Sequence, residues 1–169
     1  SGRYLDSIFD ILLNFGFLMA ICYVSNTSIW FTFLAFFAIQ LQGTLYNYYY
    51  VILRTKSIGG DATSKIFEYK SPKALPGEKQ ELVNFLFKFY LIVYGGFDKI
   101  IHFLDPEAYK VKTFPNWFMT LLSAYGLGFQ LLIIAVMLPL GWIEYIVPFF
   151  IIYTVFIFVL IGIRKQFIA

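Results

Sequence analysis

The stretch WFMTLLSAYGLGFQLLIIAVML-PLG-WIEYIVPFFIIYTVFIFVLIGI, residues 117–163, contains a single charged side chain, that of Glu144. A helix crosses the roughly 30 Å hydrocarbon core of a membrane with about 20 apolar residues, because each residue advances it by about 1.5 Å. The stretch is long enough for two such helices. It predicts spans at Trp117–Leu138 and Trp142–Ile163, joined by the short connector Pro139–Gly141.

Two further apolar segments, Ile8–Val24 and Ile29–Leu53, lie nearer the N-terminus and are separated by the short connector Ser25–Ser28. Of the 169 residues, 60% are apolar and 14% are charged, whereas soluble domains average nearer half apolar and a quarter charged. We therefore expect residues 1–169 to form one all-α membrane domain with four transmembrane helices. We expect the lipid bilayer to surround this domain, and we expect no nucleic-acid partner.

Positive charge falls on one side of this arrangement. Arg3 precedes the first span, ten of the thirteen Lys and Arg lie in the middle segment 54–116, and Arg164 and Lys165 follow the last span. The two short connectors contain none. Because cytoplasmic segments beside membrane helices are enriched in Lys and Arg, the pattern predicts that the N-terminus, the middle segment and the C-terminus are cytoplasmic.

The middle segment, residues 54–116, is the polar region of the chain. Polar residues recur at helical spacing from Glu81 to Asp105. This spacing predicts an amphipathic helix that lies in the membrane interface or packs on the cytoplasmic face of the bundle. The run Leu82–Phe97 is alternatively a fifth span, but an odd number of spans would put neighbouring lysines on the wrong side. His102, on the polar side, is interpreted as a solvated residue rather than a ligand.

The first helix begins with the pattern G-x3-D-x3-D, formed by Gly2, Asp6 and Asp10. On a helix, the interval of four places these residues and Asn14 on one face. An aspartate near the membrane centre costs about 2.5–3.5 kcal/mol to insert, so the face is better placed in a polar cavity where a divalent cation bridges the carboxylates. Such oxygen ligands suit Mg²⁺ or Mn²⁺. The simpler interpretation is that both aspartates are solvated interfacial residues and Gly2 ends a loop.

The stretch Gly2-x3-Asp6-x3-Asp10, filled by Leu5-Asp6-Ser7, resembles the second half of a longer signature, D-x2-D-G-x2-A-R-x8-G-x3-D-x3-D. That signature belongs to the CDP-alcohol phosphatidyltransferases, which are membrane enzymes with six helices. The resemblance implies that the four spans correspond to the third to sixth helices of that bundle. The first half of the signature would precede residue 1. We therefore expect a longer parent protein whose additional aspartates complete a dimetal site, and no activity from these 169 residues alone.

The resemblance also implies roles for the motif residues. Asp6 would be a metal ligand, Asp10 would be a metal ligand or the general base that deprotonates the acceptor hydroxyl, and Gly2 would line the nucleotide site. The implied reaction moves a substituted phosphate from a CDP-linked donor to an alcohol acceptor, with release of CMP, as in phospholipid synthesis. Mg²⁺ or Mn²⁺ is the implied cofactor, and a homodimer is compatible with the resemblance. The alternative function, from another class, is a non-catalytic membrane scaffold or a transporter fragment.

A polar stripe also runs along the second span, formed by Gln40, Thr44 and Asn47. Hydrogen bonding between helices is the simpler explanation of such a stripe. The other explanation is that the three side chains face the same cavity as Asp6 and Asp10. The spacing of the residues allows both.

Overall fold

The computed structural model describes residues 2–57 and 70–168, so part of the predicted cytoplasmic loop lies outside the described residues. Within these ranges the chain forms helices and no strand. The helices are α1 (Gly2–Ser25), α2 (Ile29–Ser57), α3 (Gln80–Leu104), α4 (Asn116–Ser123), α5 (Leu127–Met137), α6 (Ile143–Tyr153) and α7 (Phe156–Phe167), with a 3-10 turn at Ala108–Lys110.

Three stretches of the described chain are long and apolar enough to cross a membrane: Tyr4–Ser25, Ile29–Lys56 and Ile143–Phe167. The predicted span Trp117–Leu138 is not one straight helix, because α4 and α5 meet at an angle of 49°. The number of candidate spans therefore reaches four if this bent pair is counted as one. The all-helical prediction is confirmed, and the chain carries several helices of membrane-spanning character.

The break between α4 and α5 is centred on Gly126. The backbone N–H groups of Ala124, Tyr125 and Gly126 bond to carbonyls three residues back, which tightens the last turn of α4. Gly126 then adopts an extended conformation and caps α5. A Cβ at this position would lie 3.1 Å from the Ser123 carbonyl oxygen and 3.7 Å from the Tyr46 ring. The tight contact is the one with the Ser123 oxygen, so the turn that ends α4 favours glycine at this position, whereas the Tyr46 ring of α2 lies at an ordinary contact distance.

Helix α2 is the centre of the molecule and contacts α1, α3, α4 and α6. The N-terminal part of α2, beside the C-terminal part of α1, packs against α6, and Leu18, Ile39 and Phe150 are buried together there. Its other end packs into a second core with the 3-10 turn, α4 and α7, around Tyr49 and Phe118. Polar side chains on the buried side of α2 must find partners inside the protein or line a cavity.

A buried ion pair joins the residue that follows α3 to the last helix. Asp105 is fully buried, and its carboxylate contacts the Arg164 guanidinium, with Arg164 Nε 2.6 Å from Asp105 Oδ2. The Tyr49 hydroxyl donates to the same oxygen at 2.5 Å. The spacing suggested that Asp105 belongs to a solvated polar stripe, but in the structure it is buried in this ion pair. Burial of either charge is tolerated because the other one, and the tyrosine, compensate it.

His102, which the sequence analysis interpreted as a solvated residue, is half-buried. Its Nδ1 lies 3.1 Å from the Tyr48 hydroxyl oxygen, and the two rings are in edge contact. The same hydroxyl lies 3.1 Å from the Asp105 backbone oxygen. The sequence pattern misled here because α3 turns its C-terminal polar residues toward α2 rather than toward solvent.

Candidate functional site

A cavity of about 500 Å³ opens between α1, α2, α3 and the break of the α4–α5 pair. Polar and aromatic side chains dominate its wall. The lining residues are Asp6, Ser7, Asp10, Asn14, Ile39, Gln40, Gly43, Thr44, Tyr46, Asn47, Tyr50, Val51, Arg54, Tyr90, Tyr94, Asp98, Gly126, Leu127 and Gln130. Six residues that the sequence analysis selected, from two helices, are thus brought to one cavity.

Helix α1 contributes the acidic face. Asp6, Asp10 and Asn14 all line the cavity and become progressively less exposed along the helix, from an exposed Asp6 to Asn14 at 8% exposure. The interval of four, which places these side chains on one face, accounts for their common wall. Gly2 begins the same helix, but it is exposed and does not line the cavity. Its assignment to a nucleotide site stays a prediction.

Helix α2 contributes the opposite, largely uncharged face. Gln40, Thr44 and Asn47 line the cavity, and the Thr44 hydroxyl donates to the Gln40 backbone oxygen at 2.8 Å. Gln40 is 4% exposed, and its side-chain Nε2 has no hydrogen-bond partner among the described residues. The cavity explanation of this stripe therefore fits the arrangement better than hydrogen bonding between helices.

Hydrogen bonding between helices is instead the role of Gln42, which the sequence analysis did not select. Its Nε2 donates to the Phe150 backbone oxygen at 3.0 Å and to the Thr154 hydroxyl at 2.8 Å. Its Oε1 accepts from Gln130 Nε2 at 3.0 Å. Gln42 is fully buried, and these hydrogen bonds go to α5, to α6 and to Thr154, the residue that follows α6. The side-chain nitrogen of Gln42 thus has hydrogen-bond partners within the protein, whereas that of Gln40 has none among the described residues.

Helix α3 contributes Tyr90, Tyr94 and Asp98 to the wall. The Tyr94 hydroxyl donates to the Ser7 backbone oxygen at 3.1 Å, which ties α3 to the motif turn of α1. Burial raises the pKa of the Tyr94 hydroxyl well above its usual value, and the nearby Asp10 carboxylate adds to the rise. The phenol therefore stays protonated and remains a donor. The sequence pattern included Asp98 among the polar positions of this helix. It did not indicate that α3 packs against the part of α1 that carries the G-x3-D-x3-D pattern.

Two pairs of stacked tyrosines also stand on the wall. The rings of Tyr46 and Tyr50 are 5.8 Å apart at 22°, and those of Tyr90 and Tyr94 are 5.1 Å apart at 24°. The two tyrosines of each pair are four residues apart and are therefore neighbours on a helix face. This spacing is the feature of the sequence from which the pairs could have been predicted. All four rings line the cavity.

The donor set of the cavity fits a divalent cation in kind. Asp6 and Asp10 supply hard carboxylate oxygens of the type that Mg²⁺ and Mn²⁺ prefer. They do not form a complete set by themselves, since residues 2–57 and 70–168 hold no group of three or more acidic, histidine or cysteine side chains that could bind a metal. Arg54, which lines the same cavity from α2, offers a cation for a phosphate.

Comparison with protein-family models, with curated proteins and with solved structures finds no match to this chain.

Proposed function

We propose that the protein is a membrane transferase that moves a substituted phosphate from a CDP-linked donor to an alcohol acceptor and releases CMP. One observation carries the proposal. The two aspartates of the G-x3-D-x3-D pattern line the same cavity as an arginine, Arg54, and a set of uncharged hydrogen-bonding side chains. This arrangement offers carboxylates for a metal or a proton, a cation for phosphate and amides for an alcohol.

In this proposal Asp10 has two tasks, whereas Asp6 and Arg54 each have one. Asp10 accepts the proton of the acceptor hydroxyl while the hydroxyl oxygen attacks the phosphorus that carries the donor's alcohol. The bond between that phosphorus and the bridging oxygen breaks, and CMP leaves with the electron pair. Asp6, with Asp10, would hold Mg²⁺ or Mn²⁺, which when bound neutralises the charge of the diphosphate. Arg54 binds a phosphate oxygen and orients the donor.

The proposal includes a membrane arrangement. The bent α4–α5 pair and the α6–α7 pair each act as one span, so that with α1 and α2 the chain crosses the membrane four times. Helix α3 lies at the cytoplasmic side, and the N-terminus, residues 54–116 and the C-terminus face the cytoplasm. Supporting this, Lys and Arg are confined to those segments. The acidic end of the cavity then faces the compartment that supplies CDP-linked donors.

Cysteine labelling tests this topology. We expect a cysteine at Asn26 to react with a membrane-impermeant maleimide from outside intact cells, and one at Ser71 to react only after permeabilisation. The native Cys22 is first changed to Ser so that it does not contribute signal. Reaction of both sites from the same side would contradict the arrangement of spans.

The reaction itself is tested with the full-length protein, purified in detergent. CMP release from CDP-diacylglycerol should require Mg²⁺ or Mn²⁺ together with an added alcohol, and chelation with EDTA should abolish it. The matched product, an alcohol joined to the donor's phosphate, is measured in parallel by mass spectrometry. Absence of CMP and of product with every tested CDP-linked donor and alcohol would reject the transferase function.

A further inference from the structure

We infer that α3 docks into the cytoplasmic leaflet of the membrane through the side that is turned away from α1 and α2. The apolar side chains of that side lie among the acyl chains of the lipids, and the lysines beside them lie among the lipid phosphates. The inference rests on the membrane arrangement proposed above and does not depend on the transfer reaction.

A row of large apolar side chains is exposed along α3. Its members follow one another at intervals of three, four and eleven residues, which place side chains on one side of a helix. They are Leu82, Phe85, Phe89, Ile92 and Phe103, and their exposure ranges from 39% to 84%. The row extends over about 32 Å. Single exposed apolar residues are ordinary, but a continuous row of this length indicates a surface that is covered by something apolar.

Charged side chains border this apolar row on one edge. Glu81, Lys88 and Lys99 are exposed and follow one another at intervals of seven and eleven residues, so they share one side of the helix. Two of the three are lysines, whose long stems let the ammonium group reach a lipid phosphate while the neighbouring row stays among acyl chains. An apolar side bordered by lysines is typical of helices that lie in the plane of a membrane interface.

Contacts near the two ends of α3 show how it crosses the bundle. The Phe87 ring lies 5.7 Å from the Tyr4 ring of α1. His102 Nδ1 lies 3.1 Å from the Tyr48 hydroxyl of α2. A short turn joins α1 to α2, and Tyr4 and Tyr48 are 21 and 19 residues from the helix ends at that turn. The two contacts are thus at nearly the same level of the bundle, although about 22 Å of α3 separates them.

This geometry points to a helix that lies across α1 and α2, parallel to the membrane plane. A fifth span would run alongside these helices, so its two contacts would differ in level by most of the distance between them. The middle of α3 reaches toward the membrane, because the Phe97 ring lies 6.0 Å from the Phe37 ring. Phe37 is 55% exposed on α2, a helix of membrane-spanning character. The lipid beside this part of α2 therefore extends to α3.

Charge favours lipid over a second copy of the chain as the occupant of this surface. In an antiparallel pairing of two copies centred on the apolar row, Lys88 of one copy would lie opposite Lys99 of the other, since the two positions lie on either side of the middle of the row. Two ammonium groups held together oppose such a pairing. Lipid phosphates complement both lysines, and a cytoplasmic leaflet carries additional negative charge.

The docking gives the two sides of α3 different environments. Tyr94 and Asp98 line the cavity from α3, whereas the apolar row lies in lipid. Helix α3 is therefore the part of the cavity wall that the bundle holds on one side and the membrane holds on the other.

Fluorescence quenching tests the inference with the full-length protein in lipid nanodiscs. In a Cys22→Ser background, single cysteines are introduced by Phe89→Cys, Ile92→Cys and Phe103→Cys and labelled with bimane. Lys88→Cys is the matched control, because it is next to Phe89 along α3 but lies on the charged edge. The nanodiscs contain phosphatidylcholine and phosphatidylglycerol, with or without bromine on the acyl chains. Iodide is the aqueous quencher.

At the three positions of the row, we expect brominated acyl chains to lower the fluorescence at least about twofold, because the apolar side of an interfacial helix is buried at the acyl boundary. Iodide should quench there less than at the Lys88 position, where the order of the two quenchers is reversed. Bromine near the headgroup end of the acyl chain should quench all three positions more than bromine near its methyl end. Each labelled variant must elute as a single species with a Tm close to that of the unlabelled protein, and Leu82 or Phe85 replaces a position that fails this check.

Three results would overturn the inference. Iodide quenching of the row as strong as that at Lys88 would mean that the row is solvated. Protection from both quenchers would mean that protein covers it, such as a second copy. Strongest quenching of Ile92 by bromine near the methyl end, with Phe103 quenched by bromine near the headgroup end, would mean that α3 is a fifth span. Absence of CMP release, by contrast, rejects the transfer reaction and leaves these readings unchanged.

Discussion

Asp10→Asn in the full-length protein is expected to lower kcat by about 10²–10⁴-fold, the usual contribution of general acid–base catalysis. Asparagine keeps the shape of the side chain but cannot take the proton of the acceptor hydroxyl. The KM of the donor should change little if proton acceptance is the main task of Asp10. The measurement is the steady-state rate of metal-dependent CMP release, on protein that elutes as a single folded species in detergent.

Asp6→Asn separates the two carboxylates. If Asp6 is a metal ligand, its loss should raise the Mg²⁺ concentration needed for half-maximal activity as well as lower the rate. Asn14→Ala, one turn deeper, should have a milder effect because an amide carries no charge and takes no proton. Asp98→Asn is the control for the overall charge of the cavity, since Asp98 lines it from α3 but lies outside the motif.

Wild-type rates in both Asp6→Asn and Asp10→Asn would mean that the motif does not act in the reaction. The membrane scaffold or transporter function would then be favoured, with the aspartates serving only helix or ion contacts. A rate loss in Asp98→Asn as large as that in Asp10→Asn would instead indicate that the total negative charge matters and that no single carboxylate is the base.

Asp105→Asn is expected to destabilise the folded protein by about 3–5 kcal/mol, the usual effect of removing one partner of a buried ion pair. The change leaves the Arg164 guanidinium buried without its counter-charge and removes a charged acceptor from the Tyr49 hydroxyl. The measurement is the midpoint of unfolding in a detergent titration, followed by circular dichroism. Asp105 follows α3 whereas Arg164 is on α7, so detachment of α3 should accompany the loss.

Glu107→Gln provides the matched control for this buried pair. Glu107 lies two residues beyond Asp105 and forms an ion pair with Lys110 at 2.6 Å, but both side chains of this pair are exposed. Its midpoint should stay close to that of the wild type, because exposed ion pairs are screened by water and salt. The double variant Asp105→Leu/Arg164→Leu should be less destabilised than Asp105→Asn, since no uncompensated charge remains. Equal midpoints for Asp105→Asn and Glu107→Gln would contradict the structural role of the ion pair.

The sequence by itself determined the features that depend on local spacing and composition. Long apolar runs predicted helices of membrane-spanning character, and the interval of four placed Asp6, Asp10 and Asn14 on one side of α1. Both follow because a helix repeats every 3.6 residues and because apolar side chains favour lipid or protein over water. The stripe Gln40, Thr44, Asn47 was visible for the same reason, although the sequence favoured hydrogen bonding between helices as its simpler explanation.

Only the tertiary structure decided which of these faces meet, and which partners distant residues take. The rotation of α2 about its axis is set by packing against four other helices, so Gln40 faces the cavity while Gln42 bonds α5 and α6. The pairing of Asp105 with Arg164 joins residues 59 positions apart, and no local pattern specifies it. The 49° bend between α4 and α5 was likewise not indicated by the sequence, which predicted one span over Trp117–Leu138. Contacts between helices, unlike helical periodicity, exist only once the chain has folded.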